Sequence, residues 1–247
     1  MRKKAVFIII GVLIVAGLAF LLFEPVSYLI EKQSAINIAE DFDSLVERVN
    51  HEASSSLKAK KETKSSDKDP SPAQLKKLYD DSKAYNEMLA QQQGNVSSTD
   101  YKSKALDLSE YGIDNNLYCY ISAPSIDMKL PVYLGAGEEQ LSSGAAHLCG
   151  TSLPLDMNNT NCAIAGHTGY FGRIFFDNIR SLNKGEELSV KNYWQTVRYK
   201  VVDKKTVVPT NTSDLKIKEN TTILTLITCI KNDKGKFDRC LVICEKV

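Results

Sequence analysis

Six cysteines and three histidines supply the thiols and imidazoles of this chain, groups suited to nucleophilic and proton-transfer chemistry, and their settings differ. Cys229 ends Thr222-Ile223-Leu224-Thr225-Leu226-Ile227-Thr228-Cys229, a β-branched, apolar run bounded by turn-formers, which predicts a buried strand. Side chains alternate along a strand, so Ile223, Thr225, Ile227 and Cys229 share one face. A polar loop, Lys231 to Lys236, leads to a second predicted strand, Phe237 to Val247, in which Arg239, Leu241 and Ile243 share a face. Such a hairpin brings Cys229 and Arg239 to one mouth of a sheet. Cysteine attacks as its thiolate, a form that a neighbouring cation favours. Arginine is permanently charged and carries several donors, which suits it to an oxyanion or a substrate carbonyl. Proton transfer needs a third group. His51 lies in a polar, helical region and His147 precedes Leu148-Cys149-Gly150. His167 instead ends the apolar strand Cys162 to Ala165, just before a glycine-bearing loop, where a strand presents a side chain.

A lone cysteine in an apolar strand is more often a small buried hydrophobe than a nucleophile. The combination says more. Thr225-Leu226-Ile227-Thr228-Cys229 resembles the TLxTC signature of sortases, the cysteine transpeptidases of Gram-positive surfaces, and Gly166-His167 and Arg239 follow that family's order of histidine, cysteine, arginine. The resemblance implies a mainly β fold, a closed barrel of roughly eight strands with short helices. It also implies the catalytic set His167, Cys229 and Arg239, with no cofactor and no metal. The substrate would be a protein with an LPxTG-like sorting signal, and the acceptor an amine from a pilin subunit or a peptidoglycan precursor. Thr228, Ile227 and Phe171 are candidates to touch that substrate, although aromatic residues such as Phe171 more often simply pack. The alternative is a non-catalytic surface module of the same fold that binds a peptide or an assembly partner.

These residues need elements to hold and place them. Closely spaced strand-like segments with Gly and Asn punctuation run from Leu117 onward, as in a barrel or sandwich. The chain divides into a basic tip at 1–4, an apolar run at 5–23, a helical extension with linkers at 24–116, and the barrel at 117–247. The apolar run is long enough to span a bilayer, and the basic tip keeps the N-terminus cytoplasmic and the barrel outside. Its length favours an uncleaved single-pass anchor over a cleaved signal peptide. Glu24-Pro25 is expected to end the span. An amphipathic helix follows to Asn50, carried by Tyr28, Leu29, Ile36, Ile38, Ala39, Phe42, Leu45 and Val49. Ser54 to Ser71 reads as a solvated linker, and a second helix is expected from about Ala73 to Gln92.

This helical pair is similar to the N-terminal extension of class C, pilus-building sortases. Those enzymes carry a lid with Asp-Pro and an aromatic residue; here the linker from Gly94 to Gly112 offers Asp100-Tyr101 in that place, without the proline. The plain alternative is an ordinary exposed linker. The sequence given ends at Lys246-Val247, in the last strand, without the second span that such enzymes often have. Five of the cysteines read as small core residues, and no Cys/His spacing of a zinc site occurs. A net charge of +1 offers no basic stripe for nucleic acid.

Overall fold

The computed structural model describes residues 2–56, 69–92, 101–169 and 175–247. Eight strands close into a barrel. They are β1 (Leu117–Ala123), β2 (Met128–Leu134), β3 (Ala145–His147), β4 (Thr160–Ala165), β5 (Glu187–Asn192), β6 (Thr196–Val207), β7 (Thr222–Lys231) and β8 (Phe237–Lys246). Around the barrel the order is β1-β2-β3-β4-β7-β8-β6-β5, with β5 paired back onto β1. β2–β3 and β4–β7 are parallel and the remaining pairs antiparallel. Of the barrel and sandwich that the strand spacing left open, the structure has the closed eight-stranded barrel that the resemblance implied.

The inner face of β7 carries Leu224 and Leu226, which join Cys162, Ile164, Val242 and Cys244 in the main core. The opposite face is also covered, by a smaller cluster of Ala163, Leu215, Ile227 and Leu241. β7 is thus buried on both sides, which explains why it reads as a continuous apolar run rather than an alternating one.

Two helices flank the barrel. α1 runs unbroken from Arg2 to Ser56 with Pro25 inside it. Glu24-Pro25, expected to end the apolar span, does not end the helix. Proline removes one intrahelical bond, leaving the Leu21 carbonyl without its usual donor, but the flanking residues continue the helix on both sides. The apolar residues before Pro25, such as Phe7, Leu13 and Phe20, are exposed, and the helix is long and apolar enough to cross a membrane. Beyond it, Ala35, Ala39, Phe42, Val46 and Val49 form a buried stripe at spacings of three and four. Phe42 meets the rings of Tyr193 and Tyr120, with centroids at 4.6 and 5.9 Å. Asp43 accepts the Tyr120 hydroxyl at 3.0 Å and pairs with Lys191 at 2.6 Å, so α1 is fixed to β1 and β5 by polar as well as apolar contacts.

α2 (Pro72–Gln91) starts on a capping box, Ser71 with Gln74, and has Pro72 in its first turn. Its buried stripe includes two polar residues, Ser82 and Asn86. Ser82 accepts the Tyr118 hydroxyl at 2.9 Å. Asn86 accepts the Leu153 amide at 2.7 Å and donates to the Leu153 carbonyl at 2.9 Å. A strand neighbour would satisfy Leu153 in the same way.

His147 in β3 is 1% exposed, and its Nε2 lies 3.1 Å from the carbonyls of both Thr151 and Ser152. Burial pulls its pKa down to about 4, against the hydrogen bonds, which favour the charged form. Histidine is neutral in both states at high pH. Between about pH 6.5 and pH 4 the unfolded chain binds a proton that the folded chain does not, so stability falls as pH falls through that window. The full loss corresponds to roughly 3 kcal/mol below pH 4. Urea unfolding from pH 7.5 to 4.5 should show this slope in the full chain and a shallower one in His147→Gln; equal slopes would remove His147 as the cause.

Candidate active site

The hairpin that joins β7 and β8 fixes two of the three sequence candidates. In its antiparallel register Cys229 stands directly opposite Arg239. Side chains at directly opposed positions have Cβ atoms roughly 5 Å apart and project from the same face. The loop between the strands is closed by the Asn232 amide on the Lys236 carbonyl at 2.8 Å, with Gly235 at φ 72° completing the turn. That closure leaves no freedom for Cys229 and Arg239 to slip past one another.

His167 arrives from the other side of β7. Parallel pairing of β4 with β7 sets Ala165 opposite Ile227. It is extended by the Gly166 amide on the Ile227 carbonyl at 3.0 Å and by the Thr228 hydroxyl on the Gly166 carbonyl at 2.8 Å. Carried two residues further, this register brings His167 alongside Cys229. The three residues then lie side by side across β4, β7 and β8, and all three line one cleft of about 410 Å³.

The strand end that bears His167 is clamped from outside. Phe176 donates its amide to the His167 carbonyl at 2.9 Å, and a Cβ on Gly166 would lie 2.7 Å from the Phe176 ring. Asp177 accepts the Gly169 amide at 2.6 Å and the Thr168 hydroxyl at 3.2 Å, and so shapes the turn after His167. Phe175 meets the His167 ring edge-on at 6.3 Å. Sequence reading missed Asp177 and the packing of Phe176 on the strand end, although Gly166 immediately before the histidine was a signal of close approach.

Arg239 is half-buried; among the described residues its guanidinium makes one long bond, to the Asp238 carbonyl at 3.4 Å, and no ion pair. Most of its donors therefore face the cleft unengaged. All six cysteines are free thiols. Burial pushes the thiols of Cys119, Cys162 and Cys244 up, that of Cys244 to about 12, so these remain protonated. Cys240 is raised by the same cause. Cys149 is half-buried, with its amide 3.4 Å from the Tyr101 carbonyl.

The other sequence candidates are placed as follows. Ile227 lines the cleft and belongs to the apolar cluster on its floor, on the same face as Cys229. Thr228 is buried, and its hydroxyl holds Gly166. Tyr101 lines one end of the cleft, and its carbonyl also accepts the Ala136 amide at 3.1 Å. The strap behind Tyr101 runs close to Gly135, where a Cβ would lie 2.8 Å from the Lys102 carbonyl oxygen and φ is +84°. Asp100 and Phe171 lie outside the described residues. The remaining wall comes from the β6–β7 connection through Pro209, Asn211, Thr212 and Leu215, and from Leu141 of α3 (Glu138–Ser143).

A sequence profile of the sortase domain matches residues 121–247, just over half of the chain. The chain belongs to the sortase family. Sortases are cell-wall cysteine transpeptidases. Sortase A of Staphylococcus aureus is 35% identical over 114 residues, which make up 44% of this chain and 53% of that protein. The chain spans about half the length of the curated relatives it matches. Among solved structures, the pilus-related sortase C of Group B Streptococcus has a TM-score of 0.62 at 32% identity, covering 73% of this chain and 93% of that one. A sortase C-1 variant from S. pneumoniae has a TM-score of 0.65 at 27% identity, covering 85% and 97%. Both overlaps are longer than the barrel alone. This sortase therefore shares more than its barrel with these sortase C structures.

Proposed function

We propose that this sortase is a membrane-anchored transpeptidase that cleaves an LPxTG-like sorting signal and transfers the released acyl group to an amine. The observation that carries the reading is the register that sets Cys229 opposite Arg239, with His167 on the adjacent strand end. The Cys229 thiolate adds to the carbonyl of the threonine before the scissile bond, and Arg239 donors meet the oxyanion that forms. Collapse of this tetrahedral adduct breaks the C–N bond. His167, as the imidazolium, gives its proton to the departing glycine amine and becomes neutral. The acceptor amine then loses a proton to His167 as it attacks the thioester, and Cys229 leaves as the thiolate, which restores the starting charges.

The floor of the cleft fits the upstream part of such a peptide. Leu148, Ala165, Val207, Leu215, Ile227 and Leu241 give it an apolar surface suited to a leucine and a proline. The exposed apolar half of α1 serves as the anchor, with the basic tip on the cytoplasmic side. The acceptor is a primary amine, either a pilin lysine or a peptidoglycan cross-bridge. The resemblance to the Group B Streptococcus pilus-related enzyme favours the pilin.

The test is intact-mass spectrometry of the full chain in detergent, incubated with a peptide containing Leu-Pro-Glu-Thr-Gly and then quenched in acid. We expect an adduct on Cys229 equal in mass to the acyl fragment ending in threonine, discharged by added lysine-containing pilin peptide or by an oligoglycine amine. The more effective of the two acceptors identifies the acceptor class. If no acyl adduct forms with this or any related sorting peptide, the transpeptidase reading falls and a peptide-binding module takes its place.

A further inference from the structure

The β6–β7 connection walls the cleft, yet much of it is ordinary loop, and a loop of that kind is normally mobile. One buried side chain ties it down. Asn161, six residues before His167 on β4, is 0% exposed. Its amide nitrogen donates to the main-chain carbonyls of Asp214 at 2.9 Å and Lys216 at 3.2 Å, and its Oδ1 accepts the Thr225 hydroxyl at 2.9 Å. Both of its donors and one acceptor position are therefore used, inside a site from which water is excluded. Thr225 is likewise 0% exposed, so neither partner has a substitute.

The two carbonyls that Asn161 holds flank Leu215, in the short 3-10 turn Ser213–Leu215. Leu215 is buried against Ala163, Ile227 and Leu241, and lines the cleft together with Thr212, Asn211 and Pro209. Lys205 adds an outer restraint through Asp214, at 2.7 Å. The bonds of Asn161 thus set how far Leu215 stands from Ile227, and hence the width of the apolar trough beside Cys229.

We propose that Asn161, with Thr225, is a positioning residue that fixes this wall and thereby sets selection for the apolar side chain of the sorting peptide. The inference rests on the transpeptidase reading. With the wall fixed in advance, binding the peptide does not also have to order the loop. Without the tether the wall must be ordered at each binding event, and Leu215 no longer gauges the side chain in the trough. The pairing of Cys229 with Arg239 is held by the main-chain ladder of β7 and β8 and not by these side-chain bonds, so KM is affected far more than kcat.

The test uses the full chain in detergent and two fluorogenic peptides, one containing Leu-Pro-Glu-Thr-Gly and one with alanine in place of the leucine. Asn161→Ala and Thr225→Val are expected to raise KM for the leucine peptide about tenfold, with kcat changed less than about threefold, as suits a lost ordering contribution. Preference for leucine over alanine should shrink by a similar factor. Thr225→Ser, which keeps the hydroxyl, should stay close to wild type. Hydrogen exchange at the amides of residues 213–216 should accelerate in Asn161→Ala and Thr225→Val. Faster exchange with KM and leucine preference unchanged overturns the proposal, because the tether is then only structural. Unchanged exchange also overturns it, because Asn161 then does not hold the wall. A wild-type chain that acylates neither peptide removes the functional reading and this inference together; a normally acylating wild type confines any failure to the inference.

Discussion

Cys229→Ala is expected to abolish acyl transfer, lowering kcat/KM by at least about 10⁴-fold, the scale seen when a covalent nucleophile is removed from a site whose other parts remain. Nothing else in the cleft replaces it. The thiols in the core are held protonated by burial, and each is committed to packing. The loss should be one of chemistry and not of folding. Cys229 lies at the half-buried end of β7, beyond the doubly covered stretch from Ile223 to Ile227. Thermal melting followed by circular dichroism should therefore stay within a few degrees of wild type. The variant should also still bind the sorting peptide, since the apolar floor is untouched. Turnover within tenfold of wild type in Cys229→Ala would place the nucleophile elsewhere.

Arg239→Lys gives the second largest effect. Lysine keeps the positive charge opposite Cys229 but replaces a planar fork of donors with one rotatable ammonium on a flexible stem. Removing one well-aimed oxyanion donor lowers kcat by roughly 10² to 10³-fold, and we expect kcat/KM in Arg239→Lys to fall by at least about 10²-fold. Arg239→Ala, which loses both charge and donors, should fall further still. The strand register makes this a clean comparison, because the Cβ of residue 239 stays opposite Cys229 in every variant. Steady-state kinetics with one sorting peptide, together with the rate of Cys229 alkylation, separates two roles for the arginine. Near-normal turnover in Arg239→Lys would mean that positive charge alone suffices.

Much of the barrel could be read in advance because its strands carry strong local signals. β7 and β8 are long, rich in β-branched residues and separated by a short polar loop, so both their pairing and the shared mouth of Cys229 and Arg239 followed from periodicity. His167 was recognisable because an apolar run stops there against glycines. What escaped reading is mostly polar and non-local. Ser82 and Asn86 sit on the buried stripe of α2, where hydrophobic periodicity looks for apolar residues. In α1 the stripe includes Ala35 and Val46, whereas Leu29, expected on it, is exposed. Asn161 gave no signal at all. Its partners are backbone carbonyls more than fifty residues away in sequence, and no local pattern encodes them. Asp177 escaped for a related reason, since its role depends on a turn folding back upon it. The continuity of α1 through Pro25 was not legible either, because a single missing hydrogen bond does not stop a helix whose neighbours all favour continuing.

On the anchored reading proposed above, the unbroken α1 acts as a mast. Ala35, the first residue of the stripe that docks on the barrel, lies twelve positions after Phe23, the last of the apolar run. At a helical rise of 1.5 Å per residue that is a stiff stem of about 18 Å. An enzyme on a flexible tether samples a hemisphere, whereas one on a stem samples a ring. With the apolar run in the bilayer, the mouth holding Cys229 turns about the stem axis at nearly constant altitude. A substrate whose sorting signal sits closer to its own membrane span than that altitude cannot reach the thiol without tilting or being lifted. On that reading, the spacing between signal and span in a substrate becomes a second basis for selection, independent of the peptide's chemistry.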